Sequence, residues 1–291
     1  MAKRKLNKLV SPVVKWVGGK RQLLKNIEKH LPQKVYDGKT TYYEPFIGGG
    51  ALLFYLQPKK AVINDTNEEL VNLYRVIKKN PEDLIEDLKR HINEEEYFYE
   101  IRGLDRDREA YKALSDVERA SRIIYLNKTC YNGLFRVNSS GEFNTPFGRY
   151  KNPNIINDIT IRAIHNYFSN NDVKILNTDF SKVLDGISSS SFVYFDPPYD
   201  PVSDSANFTG YTKGGFGREE QIRLKNLCDH LSAMNVDFLL SNSSTEFINT
   251  LYKKYKISHI SANRAVNSKA EKRGAVKEVL VHNYELKNDE K

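Results

Sequence analysis

The spacing of apolar positions alternates between two periods along the chain. Short β-prone runs occur at Tyr42–Ile47, Ala61–Asp65, Val173–Thr178, Phe192–Phe195 and Val236–Ser241. They are rich in aromatic and β-branched residues and apolar enough for strands buried on both faces. Between them the spacing turns helical, over Arg21–Leu31, Ala51–Leu56, Glu68–Lys79 and Pro81–His91, and along the Leu224, Leu227, Leu231, Met234 face. Ser115-Asp116-Val117-Glu118 is a capping box that opens a further helix to about Lys128. The charged stretch Glu94–Leu114 shows no stripe and reads as irregular, and Lys256–Ala262 and Lys277–Tyr284 read as edge strands. Strands alternating with helices predict an α/β fold around a mainly parallel sheet.

Two strand ends carry candidate chemistry. Phe192-Val193-Tyr194-Phe195 stops at Asp196-Pro197-Pro198-Tyr199. Two prolines have no N–H to donate, so ladder pairing ends there and Asp196 is left at the carboxyl edge of the sheet, where open α/β folds bind ligands. A plain strand cap is the competing reading for an acid before a proline. Upstream, the Tyr42–Ile47 strand turns through Gly48-Gly49-Gly50 into a helix, and the next strand ends in Asp65. Glycines let a backbone approach a ligand closely, and a terminal carboxylate accepts bonds from ribose hydroxyls. A nicotinamide dinucleotide fingerprint needs glycine where Leu53 stands, and a phosphate-binding Walker loop at Gly18-Gly19-Lys20 needs glycine at position 14 and Ser or Thr at 21. Both are absent.

The segment Cys130–Lys151 breaks the pattern. Its Asn138-Ser139-Ser140-Gly141 centre marks a hairpin turn, and both arms interleave aromatic and basic residues. Taken alone, such a hairpin fits burial of the aromatics with arginines at the rim better than it fits a reading element whose arginines reach base edges.

Charge adds a location. The net charge is +8, and residues 1–34 hold ten Lys and Arg against one acid, while residues 253–291 hold ten against five. Basic ends on a balanced body suit a polyanionic partner. After Asp196, the polar, glycine-rich stretch 200–217 is long enough for a lid. The two cysteines lie far apart without metal-ligand spacing, so no metal site is expected. Residues 1–30 contain no long apolar run, so neither a membrane span nor a signal peptide is expected, and the predicted location is cytoplasmic.

An acceptor pair at Asp196 and the Pro197 carbonyl suits the exocyclic amine of adenine, whose delocalised lone pair is a poor nucleophile until both N–H groups are held. Tyr199 offers a ring for the base to stack on. A duplex base must leave the helix to reach such a pocket.

Glu44-Pro45-Phe46-Ile47-Gly48-Gly49-Gly50, Asp196-Pro197-Pro198-Tyr199 and Lys15-Trp16-Val17-Gly18-Gly19-Lys20 resemble the Dam family of DNA adenine-N6 methyltransferases. The hairpin is similar to that of its GATC-reading members, and the likeness runs from about Val13 to Tyr284. It implies a Rossmann-like S-adenosylmethionine-dependent methyltransferase sheet, residues 1–72 and 169–291, with a mainly helical target-recognition insertion, 73–168, that carries the hairpin. It further implies that Trp16, Lys20, Phe46, Gly48, Gly50, Asp65, Asp179, Phe180 and Asp196 line the S-adenosylmethionine pocket. Some members have serine where Asp179 stands. On the DNA side, Lys15 and Arg136 would read guanines, Leu134 and Pro146 the thymine methyl, and Tyr131 and Asn132 would wedge into the stack, with Asn138, Arg149 and Tyr150 as further DNA contacts. The resemblance also reverses the preference for a purely structural hairpin. The expected partner is double-stranded DNA containing GATC. The competing readings are another adenine target, a longer GAT-containing site or RNA, and an inactive DNA-binding protein on the same fold.

Overall fold

The computed structural model describes residues 6–20, 22–202, 215–262 and 276–286. Most of the stretch expected as a lid, 203–214, lies outside the described residues, as do residues 1–5, residue 21, the segment 263–275 and residues 287–291.

Seven strands form one sheet: β1 (Thr41–Glu44), β2 (Lys60–Asn64), β3 (Asp172–Leu176), β4 (Ser191–Phe195), β5 (Asp237–Ser243), β6 (Lys256–Ala262) and β7 (Val276–His282). Their order is β3-β2-β1-β4-β5-β7-β6, with β1 to β5 parallel and β7 antiparallel to both neighbours. All of β4 is buried, because helices cover both faces of a parallel sheet, and this accounts for its unbroken apolar sequence. Successive residues feed opposite layers. Phe192 and Tyr194 join the core with Tyr42, Ile63, Leu70 and Phe168, whereas Val193 and Phe195 join Leu224, Phe238 and Ile248 on the other face.

One strand assignment needs correction. Lys277–Tyr284 was expected at an edge, but β7 runs between β5 and β6, with Val279, Leu280 and Val281 fully buried, and of the two strands β6 is the edge. Three consecutive apolar residues are the mark of burial on both faces, which the flanking Lys277 and Glu278 obscure.

Ten helices accompany the sheet among the described residues: α1 (Leu24–Lys29), α2 (Ala51–Leu56), α3 (Glu68–Lys79), α4 (Pro81–Leu88), α5 (Glu95–Gly103), α6 (Arg108–Ala113), α7 (Asp116–Thr129), α8 (Asp158–Ser169), α9 (Arg218–Ala233) and α10 (Glu246–Leu251). The stretch expected to be irregular therefore holds α5 and α6. Only Phe98 of α5 and no residue of α6 is buried, so no apolar stripe betrayed them. Asp107 caps α6 by accepting from the amides of Glu109 and Ala110. The unexpected α8 buries Ile161, Ile164 and Phe168 at helical spacing behind an Asn157 cap. The capping box of α7 is present in full, with Ser115 and Glu118 each bonded to the other's backbone amide. Helices α3 to α8 all lie between β2 and β3 in sequence, and α7 packs on α3, α4 and α5.

Among the described residues no helix is long and apolar enough to cross a membrane, and no group of three or more His, Cys, Asp and Glu residues could hold a metal ion.

Candidate functional site

The carboxyl ends of β1, β2, β3 and β4 meet where the strand order reverses, between β1 and β4, the place at which a parallel sheet opens a crevice. Tyr43 pairs with Val193, so three residues further along each strand Phe46 and Asp196 stand at the same level of that crevice. Asp65 follows β2, and Asp179 and Phe180 follow β3.

Asp196 is not bare. Its Oδ1 lies 2.8 Å from Lys20 Nζ and accepts a 2.8 Å bond from the Ser241 hydroxyl. Burial raises the Asp196 carboxyl above its ordinary range, against the opposing pull of Lys20 and Ser241. The Lys20 side chain is buried, donates to the Gly18 carbonyl and sits 4.5 Å above the centre of the Tyr199 ring. Tyr199 donates its hydroxyl to Glu278 at 2.9 Å. A third buried acid, Glu44, accepts from the Tyr42 hydroxyl and is raised well above the carboxylate range by burial, with the charge of Asp196 adding to the shift. Behind the two prolines, Gln221 donates to the Pro198 carbonyl at 2.8 Å and is held in turn by Asn242, which also accepts from the Asp200 amide. The turn after β4 is thus fixed from both sides.

The glycine turn is built for close approach. Gly50 has φ +71°, and a Cβ there would lie 2.8 Å from Phe54. At Gly48 a Cβ would meet the Trp16 ring at 2.9 Å. Asp65 braces the turn, accepting from the amides of Gly48 and Asn67, and Tyr74 donates to the Gly48 carbonyl. Burial raises the Asp65 carboxyl despite those bonds. The rings of Phe46, Phe180 and Phe216 pack together within 6 Å of one another. For Asp179 burial alone would raise the carboxyl, but Ser181 and Arg223 outweigh it and the net shift is downward.

The hairpin divides its aromatics. Phe135 and Phe143 are buried, with Phe147 packed beside the core, while Tyr131 and Tyr150 are exposed, together with Asn132, Pro146 and Arg149. The end of α5 and the connection to α6 clamp it: Asp105 accepts from the Phe143 amide, Arg106 donates to the Phe143 carbonyl and Arg102 to that of Thr145. Arg136 is half-buried and its Nε donates to the Asn144 side chain at 2.7 Å. Asn138 commits its side chain to the turn, accepting from Ser140 and Glu142 and donating to the Glu142 carboxylate. Arg149 pairs with Glu95 and the Tyr150 carbonyl accepts from Asn93. Leu134 is half-buried, and Tyr131 bonds through its amide to the Pro146 carbonyl. Trp16 stacks on Phe135 at 4.7 Å, so one ring touches both the hairpin and the glycine turn.

Residues 16–266 match the family of D12 class N6 adenine-specific DNA methyltransferases. The chain belongs to this family. It is 46% identical to the type II methyltransferase M1.LlaDCHI of Lactococcus lactis subsp. cremoris, with 98% of each chain covered. It is 41% identical to the type II methyltransferase M.MjaIII of Methanocaldococcus jannaschii, covering 94% of this chain and 99% of that one. Against the DNA adenine methylase of Escherichia coli the identity is 30%, over 92% of this chain and 93% of that one.

The enzyme's own architecture thus brings most of the expected residues into two groups. Trp16, Lys20, Phe46, Gly48, Gly50, Asp65, Asp179, Phe180, Asp196 and Tyr199 gather at the sheet edge. Lys15, Tyr131, Asn132, Leu134 and Pro146 gather on the hairpin side. Arg149 stands apart, tied to Glu95 on α5. Sequence reasoning missed Ser241, Glu278, Gln221 and Asn242. A signal existed for the first and last, since Ser241-Asn242-Ser243 is a polar trio closing an apolar strand, and for Glu278 as an acid inside an apolar run. Gln221 lies on the buried face of α9, one turn before Leu224, but as a polar residue within the charged run Arg218–Arg223 it gave none.

Proposed function

We propose that the enzyme transfers a methyl group from S-adenosylmethionine to N6 of a flipped-out adenine in duplex GATC. The observation that carries the target is the meeting of Lys15 with the hairpin: a Cβ on Gly133 would lie 2.7 Å from Lys15 Cδ, directly beside the exposed Tyr131-Asn132 pair. A cation for a guanine edge and a wedge for the stack are side by side, and Arg136 is held by Asn144 in a fixed orientation for a second guanine. The likeness of this hairpin to that of GATC-reading enzymes supports the same reading, with Leu134 and Pro146 against the thymine methyl and Asn138, Arg149 and Tyr150 along the strands. In this reading 73–168 is the recognition insertion and 1–72 with 169–291 the catalytic part.

The donor pocket passes a test of fit. Each oxygen of Asp65 keeps a lone pair beyond the bonds described, as does Asp179 Oδ2 beside Arg223, enough to accept from ribose hydroxyls or an adenine amine, whereas Asp179 Oδ1 is filled by the amide and hydroxyl of Ser181. The Phe46 and Phe180 rings provide a flat apolar lining, with Trp16 above the glycine turn and Lys20 near the site for a carboxylate. S-adenosylmethionine supplies the electrophilic methyl group there.

Asp196 and the Pro197 carbonyl accept the two N6 hydrogens and localise the nitrogen lone pair for attack. Tyr199, held by Glu278 and by Lys20, presents its ring to the flipped base. Lys20 and Ser241 favour the ionised form of Asp196 against burial, which suits it as an acceptor for the positive charge that develops on nitrogen. Labelled-methyl transfer to duplexes containing GATC, pre-methylated GATC and single-base variants tests this. Asp196→Ala abolishes incorporation. Arg136→Ala loses discrimination at one guanine, by about 1–3 kcal/mol, with donor affinity intact. Transfer elsewhere with none into unmodified GATC refutes the target.

A further inference from the structure

We infer that Asn127, inside α7, is a positioning residue for sequence discrimination: it holds Lys15 in register with the hairpin wedge. The inference rests on the reading of Lys15 given above and names a residue that touches no base.

Asn127 is 2% exposed and uses its whole amide. Its Oδ1 accepts from the Lys15 amide at 2.8 Å, and its Nδ2 donates to the Lys15 carbonyl at 2.8 Å and to the Gly133 carbonyl at 3.1 Å. The first two bonds grip one peptide as a neighbouring strand would. The third fixes the same side chain to the residue following Asn132. A single planar group thereby sets the distance between the cation-bearing loop and the wedge, 112 residues away in sequence from Lys15 to Asn127 itself.

The chemistry demanded is narrow. Two donors and one acceptor must point from a buried helix position, and an aspartate has no hydrogen for either carbonyl, an aliphatic side chain has neither function, and glutamine is one methylene longer. The Lys15 side chain meanwhile crosses Gly133, whose φ of +64° and lack of Cβ leave room for it, since a Cβ would fall 2.7 Å from Lys15 Cδ. Lys15 is thus fixed at its backbone by Asn127 and guided along its stem by Gly133.

The same segment continues into Trp16, which stacks on Phe135 and covers Gly48. A lysine released from Asn127 would keep its charge and its attraction for phosphates. What it would lose is the direction needed to prefer one base edge over another, and direction is what separates specific from general DNA affinity.

The test uses the full-length enzyme and labelled-methyl kcat/KM on GATC duplex and on duplexes in which each guanine of the site is replaced in turn. Lys15→Ala identifies the guanine it reads. Asn127→Ala is expected to lower discrimination at that guanine by about tenfold or more, to leave the ratio at the other guanine unchanged, and to leave donor affinity unchanged. The double variant loses no more than Lys15→Ala alone, because both act through one contact. Equal loss on every duplex, or additive losses in the double variant, overturns the proposal and leaves Asn127 a structural staple. Should thermal melting show that Asn127→Ala does not fold, Gly133→Ala, which crowds Lys15 while retaining Asn127, must move the same ratio, and an unmoved ratio there overturns the proposal equally. Failure of the underlying reading looks different: the unaltered enzyme shows no preference for GATC, or Lys15→Ala leaves both ratios as they were.

Discussion

Removing the Ser241 hydroxyl isolates how the carboxylate after β4 is kept ionised. Ser241 is fully buried, and its Oγ lies 2.8 Å from Asp196 Oδ1, 3.2 Å from the Tyr194 hydroxyl and 3.3 Å from the Phe195 carbonyl. Ser241→Ala removes a fully buried donor from a carboxylate that keeps 19% of its side chain exposed. A hydrogen bond to a charged acceptor contributes about 1.5–3 kcal/mol, and its loss falls on the charged form of Asp196 alone. Its pKa is already above the ordinary aspartate value through burial, with Lys20 and Ser241 opposing. Loss of one opponent moves it further up. Acceptor function is present above the folded-state pKa and lost as pH falls through it, so the acid limb of kcat/KM shifts to higher pH while the plateau is largely retained. A pH profile of methyl transfer on a fixed duplex measures this. The Tyr194 hydroxyl, buried and deprived of its partner, adds a stability cost of about 1–3 kcal/mol, read as a lower Tm. An acid limb unmoved by Ser241→Ala, in a protein that still melts cooperatively, refutes the claim that Ser241 keeps Asp196 charged.

Other consequences follow from neighbouring contacts. Glu278→Ala removes the acceptor for the Tyr199 hydroxyl and should cut kcat by about tenfold or more, whereas Glu278→Gln, which still accepts that hydroxyl, should retain most activity; equal losses in the two would show that the charge, and not the bond, matters. Ser115→Ala breaks the capping box of α7 and should cost about 1 kcal/mol in denaturant unfolding, with discrimination between duplexes unchanged.

The sequence carried the sheet further than it carried the helices between β2 and β3, and the reason is the kind of burial involved. β1, β2, β4 and β5 are covered on both faces, so their apolar runs were visible without any knowledge of partners. Helix α5 rests on the surface by one phenylalanine, α6 by none, and the connection between them by ion pairs such as Asp105 with Arg122, and salt bridges between residues far apart leave no periodicity to read. β7 was legible as a strand, but its place was not, because strand order depends on which neighbour shares a ladder.

In the candidate site, the residues that announce themselves are those whose backbone is constrained: Gly48 and Gly50 by positive φ, and Asp196-Pro197-Pro198 by the missing donors of two prolines. These are local requirements, and a local requirement is written into adjacent letters. Glu278 on Tyr199, Ser241 on Asp196, Gln221 on the Pro198 carbonyl and Asn127 on Lys15 are long-range bonds, each ordinary as a letter and meaningful only through its partner. The hairpin shows both sides at once. Its turn and its mixture of aromatic and basic residues were fixed by sequence, while the choice of Phe135 and Phe143 for the core, and of Tyr131 for the surface, was made by the helices it packs against. Local backbone chemistry was thus determined by the chain alone, and the electrostatic setting of Asp196 and the anchoring of the Lys15 backbone were decided by tertiary packing, because both depend on groups brought together from distant parts of the sequence.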